Sequence, residues 1–473
     1  MTLADRTRET APLNDLRVLE IGYGVAAPVA CRTLAEFGAD VIRVESARRP
    51  DSLRTIGAGW VPLDTPWEIL RDTGMALQFT CPEKRSIGLE IDRPEGREVF
   101  CALLAHSDVL VMNLGVEAIA RLQLSYEDLR DINPGLIYMN MPAFGSAEGP
   151  YRTYRTWGGN LSALAGLTQL VGWPDRDPVG MPMSFPDYPS ALWGASAVIC
   201  AILRRDVTGQ GCEIDLSQFL VAIACIGPTI AETALGGSAP DSPGNRHSGQ
   251  APHGVYPTRE PDRWIAVSVP DEASWGGLCT LAGLETLGSD PRFATLAGRL
   301  NAQDELDEML AQWTRGRTAW EAASELQRVG VGASPVQDNW EVLADPQLAA
   351  RDFFRVLPSR RFTGELSYGQ AVVLSETPAR HERAAPAFGE HTYEVLHEVA
   401  GLNEGQIDAM VESGTAHVMQ HPDLHLERPF LHWIPHVMRL PWPPAALDPA
   451  AILFEQLAAG EREAQDPDAD GGG

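Results

Sequence analysis

The sequence predicts an α/β protein: a large nucleotide-type, Rossmann-like domain and a smaller α+β domain. Three observations lead there. Residues 16–140 alternate short apolar strands with helical segments, the pattern of a mostly parallel sheet. From Ser238 to His253 the composition shifts to Gly, Pro, Ser, Asn and His, which marks a loop and a domain hinge. Beyond it, HGVYPT and RWIAVSV alternate like paired strands across a TREPD turn. At 473 residues the chain is also too long for one simple core.

Taken in order, LRVLEI (16–21) reads as the first strand, GYGVAAP as a turn of small residues, and Val29–Phe37 as a helix stopped at Gly38. DVIRVE (40–45) completes a compact βαβ unit. The turn is not the dinucleotide pattern G-x-G-x-x-G, since after Gly22 and Gly24 the third position is Ala27. A long loop, Ala47–Thr80, leads to a third strand in KRSIGLEID. Helix 94–106, strand 108–113, helices near 115–121 and 125–132, and strand 135–140 follow. The sheet is expected to stop there, with a helical segment over 157–206 and EIDLSQFLVAIACIG, a strand or a helix start, packing elsewhere. AQDELDEMLAQWTRG is an amphipathic helix, and residues 350–420 hold short strands and a polar helix, HTYEVLHEVAGLNEGQIDAMVES. The expected division is 12–222 for the first part of the large domain, 223–345 for the small domain and 346–420 for a return to the large one. Residues 421–473 form a C-terminal extension with a disordered end.

The net charge of −27 argues against a nucleic-acid or membrane-surface binder, which needs a basic face. Anion binding would have to come from local cations such as Arg43, Arg48, Arg49 and Arg54. Lys84 is the only lysine. Seven cysteines are scattered with no C-x-x-C pair, so neither a disulfide framework nor a zinc site is implied; those at 101, 200 and 225 read as small core residues. His417, His421, His425, His432 and His436 fall four apart within two groups, but Pro422, Pro429 and Pro435 interrupt any helix that would align them on a metal. A docking tail is the preferred reading there. No leader-type h-region and no run near eighteen apolar residues is present, so a soluble cytoplasmic protein is expected.

The most informative stretch is Pro178–Gln218. It sets Asp187 between Pro186 and Pro189 at the start of a long helix whose run Leu192–Leu203 is nearly all apolar, which predicts a buried helix. The residues alone leave two readings of Asp187: an N-cap accepting a backbone N–H, or a carboxylate presented to a pocket.

Several segments together resemble family III CoA-transferases, the CaiB/BaiF group that includes formyl-CoA and carnitine CoA-transferases. They are PLNDLRVLEIGYGVAAPVACRTLAEFGADVIRVE, EKRSIGLEIDRPEGREVF, VLVMNLGVEAIARLQLSYEDLRDINPGLIY, the Asp187 segment through TGQGCEIDLSQ, NRHSGQAPHGVYPTREPDRWIAVSV and APAFGEHTYEVL, in the family's order over about residues 12–415. The resemblance implies an interlocked homodimer, a chain that leaves its large domain and returns to it, and Asp187 as nucleophile. No cofactor is implied to be permanently bound; coenzyme A and acyl-CoA come and go as substrates, with a carboxylic acid as acceptor. By position, Tyr23, Val25 and Ala26 should face the pantetheine and thioester, Leu89 and Ile91 the adenine, and Asn113, Leu114, Ala118 and Arg121 the nucleotide. Arg48 is a further phosphate candidate, against the alternative of a solvated loop charge. Leu89 and Ile91 equally suit plain strand core.

Where many members read N-F-R-P-G, this chain has Asn113-Leu-Gly-Val-Glu; Val25, Pro142 and Phe144 replace polar or Tyr side chains of relatives. These departures, with Trp60, Trp67, Trp157 and Trp173, imply a less polar acyl pocket than one for formate or oxalate. Three rival functions are a non-catalytic partner subunit of a heteromeric CoA-transferase, a 2-methylacyl-CoA racemase and an NAD-dependent oxidoreductase. Racemases of this family carry G-H-D before the aspartate helix, and here the stretch is Thr156-Trp157-Gly158-Gly159-Asn160. The oxidoreductase lacks its fingerprint.

Overall fold

The computed structural model describes residues 11–57, 65–181, 184–237, 242–281, 283–362 and 364–420. The chain divides into two compact units. The first runs through Val171, resumes over Pro178–Pro240 and again from Asp352; the second takes Gly172–Asp177 and Asp241–Arg351. The helices at Gln218–Ala224 and Gly227–Ala234 stay with the first unit.

The first unit is built on a seven-stranded sheet. Strands β1 (Arg17–Ile21), β2 (Asp40–Glu45), β3 (Arg85–Leu89), β4 (Val109–Met112), β5 (Ile137–Asn140) and β6 (Cys212–Asp215) are parallel, in the spatial order 3-2-1-4-5-6. Successive side chains of a strand point to opposite faces, and both faces are covered. Val18, Val41, Val109 and Met139 pack with helices Ala26–Glu36 (α1) and Asp187–Thr208 (α5). Leu19, Ile42, Leu110 and Tyr138 pack with Pro94–Ala105 (α2) and with Val395 and Leu396 of a late helix. Burial on both sides explains why these strands read as near-continuous apolar runs. Between these helices lie Val116–Leu122 (α3) and Gly158–Leu164 (α4).

Several expectations need correction. The sheet does not stop at β5: Cys212–Asp215 extends it, and Ala416–His417 pairs antiparallel with β3 at the other edge. The helix α1 starts at Ala26, ahead of Pro28, whose missing N–H lies in a first turn that needs none. The late polar helix is two, Thr392–Glu398 and Glu404–Glu412, divided at Gly401 and restarted by an Asn403–Gln406 capping box. Helix α5 is buried on one face only, through Ala191, Gly194, Ala195 and Val198; Leu192 and Trp193 are more than half exposed. Cys200 and Cys225 are exposed and Cys101 is half-buried, so none is a core residue.

The second unit carries a three-stranded antiparallel sheet of His253–Pro257, Trp264–Ser268 and Gly332–Pro335, its core completed by helices Gln303–Arg315 and Ala319–Arg328. No helix among the described residues is long and apolar enough to cross a membrane, and none of their His, Cys, Asp and Glu side chains cluster as a metal site. The C-terminal extension, four of the five spaced histidines and Trp60 lie outside the described residues.

Candidate active site

Asp187 is the first residue of α5, with Pro186 in the capping position, and no side chain caps the helix. The N-cap reading therefore does not hold. The Asp187 carboxylate instead accepts the backbone N–H of Ala26, which comes from another element, together with the Ser184 hydroxyl and its own N–H. Burial pushes this carboxyl up to about 6, although all three hydrogen bonds pull it down. It is ionised at neutral pH, but poorly solvated. Gly158, opening α4, lies against it: a Cβ there would stand 2.8 Å from Oδ2 and 2.7 Å from the Ser184 Cβ.

The Ala26 N–H is delivered by the turn after β1. Gly24 takes φ +65°, a conformation that side chains disfavour, and a Cβ on it would meet nothing, so the backbone path and not space calls for glycine. The turn is pinned on both sides. The Tyr23 N–H donates to Asn113 Oδ1 at 2.9 Å and Asn113 Nδ2 returns a bond to the Tyr23 carbonyl at 2.7 Å. The Gly24 N–H donates to the Asp51 carboxylate at 3.1 Å.

On the other side of the turn lies a cavity of about 460 Å³ at the carboxyl ends of β1 to β4. This is where the strand order reverses, the usual place for a ligand in an open parallel sheet. Its apolar wall comes from Ile21, Val44, Leu89, Ile91, Leu114 and Ala118, and its rim carries Arg48, Arg49 and Arg121. Arg48 is occupied, its Nε on Glu90 at 2.9 Å and its Nη2 on Asp92. Burial pushes Glu90 up, yet hydrogen bonds from His417, Ser46 and Arg48 outweigh it and hold the carboxyl at about 2. Among the described residues neither Arg49 nor Arg121 is paired with a carboxylate.

Of the residues singled out in the sequence, Tyr23, Arg48, Leu89, Ile91, Leu114, Ala118 and Arg121 meet in this cavity, and Asn113 braces its Tyr23 wall. Ala26 sits at Asp187. Val25 packs into the apolar core instead. Phe144 belongs to a separate ring cluster with Tyr151, Tyr154 and Phe219. Sequence reasoning missed Ser184 and Gly158; the Gly158-Gly159 pair was the available signal, a place where a chain must pass close to something.

A family model described as CoA-transferase family III matches residues 13–392. The chain is similar to the succinyl-CoA–D-citramalate CoA-transferase of Chloroflexus aurantiacus, 31% identical over 86% of this chain and 98% of that one. It is likewise similar to the succinate–glutarate CoA-transferase of Agrobacterium fabrum, 28% identical over 84% and 98%. Among solved structures, a CAIB/BAIF family protein from Brucella suis superposes with a TM-score of 0.73 at 28% identity, covering 82% of this chain and 99% of that one.

Proposed function

The chain belongs to CoA-transferase family III, and from that premise we propose that Asp187 is the nucleophile that carries coenzyme A from an acyl-CoA to a carboxylic acid. The observation that carries this reading is the single turn Tyr23–Ala26, which lines the cavity at one end and hydrogen-bonds the Asp187 carboxylate at the other. A nucleotide bound on one side of that turn reaches a reactive carboxylate on the other.

The chemistry runs through the carboxyl of Asp187. An Oδ attacks the thioester carbonyl carbon, the C–S bond breaks, and CoA leaves as thiolate, giving a mixed anhydride. The thiolate then attacks Cγ of Asp187, which releases the donor acid and leaves an aspartyl-CoA thioester. The acceptor carboxylate attacks the same Cγ, displaces the thiolate and forms a second anhydride; the thiolate takes the new acyl group and frees Asp187. Partial burial suits the nucleophile, because an ion with little solvation loses little on reacting, and because water would hydrolyse the anhydrides.

CoA enters as a substrate and no permanent cofactor is required. The cavity volume suits the adenosine end of CoA, with the apolar wall on the base and Arg49 and Arg121 on phosphate. The name of the D-citramalate relative supports succinyl-CoA as donor. The exposed apolar residues of α5, Leu192, Trp193 and Leu203, support burial against a second copy in a homodimer, in which the chain leaves and re-enters its larger unit. We place the activity in the cytoplasm, where acyl-CoA is available.

The test is a transfer assay followed by chromatography and mass detection of acyl-CoAs. Succinyl-CoA is mixed with D-citramalate, glutarate, malate and a set of aromatic acids, one at a time. A new acyl-CoA formed with equimolar succinate, and absent with Asp187→Asn, supports the reading; only free CoA from hydrolysis, or transfer that survives Asp187→Asn, contradicts it.

A further inference from the structure

Behind the turn lies a group of buried charges that the reaction scheme does not use. Asp51, 3% exposed, accepts the N–H of Gly24 at 3.1 Å and that of Leu53 at 2.9 Å, and takes Arg43 Nη2 at 2.6 Å. Arg43 also pairs with Glu20, and Glu20 binds Lys84 Nζ at 2.6 Å. Lys84, the chain's only lysine, spends a second hydrogen bond on the carbonyl of Pro28 at 2.7 Å. Glu20, Arg43 and Lys84 are all 1% exposed or less. One continuous ion network therefore holds the backbone at Gly24 through Asp51 and at Pro28 through Lys84. Midway between those two anchors is Ala26, whose N–H meets Asp187.

Buried ion pairs contribute little to net stability, since desolvation cancels most of their attraction. Their cost is easier to understand where a backbone donor must be held in one place. We propose that the Asp51–Arg43–Glu20–Lys84 network is a positioning device that fixes the segment Gly24–Pro28 so that the Ala26 N–H stays aimed at the Asp187 carboxylate. This rests on the reading of Asp187 as nucleophile. The aimed N–H holds one anionic form of the carboxylate in an attack geometry and donates to it again as the carboxylate that leaves when the second anhydride gives up its acyl group to the thiolate.

The sign of one measurement separates positioning from simple electrostatics. The groups around the Asp187 carboxyl among the described residues are Ser184, the Ala26 N–H, its own N–H, Gly158 and Tyr188, with no ionised side chain among those that set its titration. Removing the Asp51 charge at fixed geometry leaves Arg43 less neutralised, which lowers the Asp187 pKa. Losing the Ala26 hydrogen bond raises it.

The experiment follows the Asp187 carboxyl by infrared difference titration, each protein minus its own Asp187→Asn counterpart, alongside steady-state transfer. In Asp51→Asn the carboxyl midpoint should rise by about half a unit or more, and kcat should fall about tenfold or more while the acyl-CoA KM stays within about threefold. Asp51→Glu keeps the charge but displaces the carboxylate, and serves in its place if the asparagine variant does not fold; the same rise and loss are expected. An unchanged or lowered midpoint with unchanged kcat per folded site overturns the proposal. Transfer that survives Asp187→Asn in the otherwise native protein sinks the nucleophile reading instead, and the titration still decides whether the network aims the N–H.

Discussion

Replacing Asp187 by asparagine should make the protein more stable at neutral pH, and the gain should disappear in acid. Folded, the Asp187 carboxyl titrates at about 6, against an ordinary value of 3.8. Between those values the native state keeps a proton that the unfolded chain has already released. Native stability is therefore highest below the unfolded value, falls as pH rises towards 6, and stays reduced above it. A shift of about two units corresponds to about 3 kcal/mol, and residual solvent access brings this to about 2 kcal/mol. Asparagine avoids that cost. Its oxygen still accepts the Ala26 N–H, and its amide finds the Ser184 hydroxyl as acceptor. The assay is paired thermal or urea unfolding of both proteins at about pH 8 and about pH 3, with the difference at the higher pH expected to be a few degrees in Tm and near zero at the lower. An equal difference at both pH values, or a variant less stable at pH 8, would refute the claim that Asp187 is a strained, desolvated carboxylate.

Further expectations rest on the same geometry. Gly158→Ala places a methyl 2.8 Å from the Asp187 carboxylate; displacing it should cost about 10²-fold in kcat with acyl-CoA binding intact, read by steady-state kinetics and calorimetry. Arg121→Ala and Arg49→Ala should each raise the acyl-CoA KM about 10-fold or more and leave kcat nearly unchanged, with a smaller loss when the 3′-dephosphorylated CoA is compared for whichever arginine meets that phosphate. The logarithm of kcat/KM should fall with unit slope below a midpoint near pH 6, where Asp187 becomes protonated. Trp193→Asp, on the exposed face of α5, should convert a dimer to monomer in light scattering, whereas a change at the equally exposed Val373 should not.

Much of the larger unit could be read from its residues because burial leaves a clear imprint. Strands covered on both faces tend to become apolar runs, most plainly β4 (VLVM) and β5 (IYMN). Strand β6 escaped because at a sheet edge only alternate residues, Cys212 and Ile214, are partly covered, so its pattern is faint. Helix α5 shows the converse. Its apolar residues on every side look like a core helix, but only one face is buried within the chain, and Leu192, Trp193 and Leu203 are exposed. Asp187 stood out because two prolines bracket it. Its neighbours Ser184 and Gly158 carry no such mark, and come to it from segments related only by the fold. The charge network was the least legible feature. Arginine, lysine and glutamate are normally solvent-facing, and nothing in VIRVE or EKRS distinguishes a buried Arg43 or Lys84 from a surface one.

The central claim, covalent transfer through Asp187, is most directly tested by mass spectrometry of the protein incubated with a panel of acyl-CoAs and quenched with hydroxylamine. The account predicts a hydroxamate on the peptide containing Asp187, formed only with a competent acyl-CoA donor and absent in Asp187→Asn. If CoA binds yet Asp187 stays unmodified with every donor, Asp187 is not the nucleophile and the mechanism proposed for this chain is wrong.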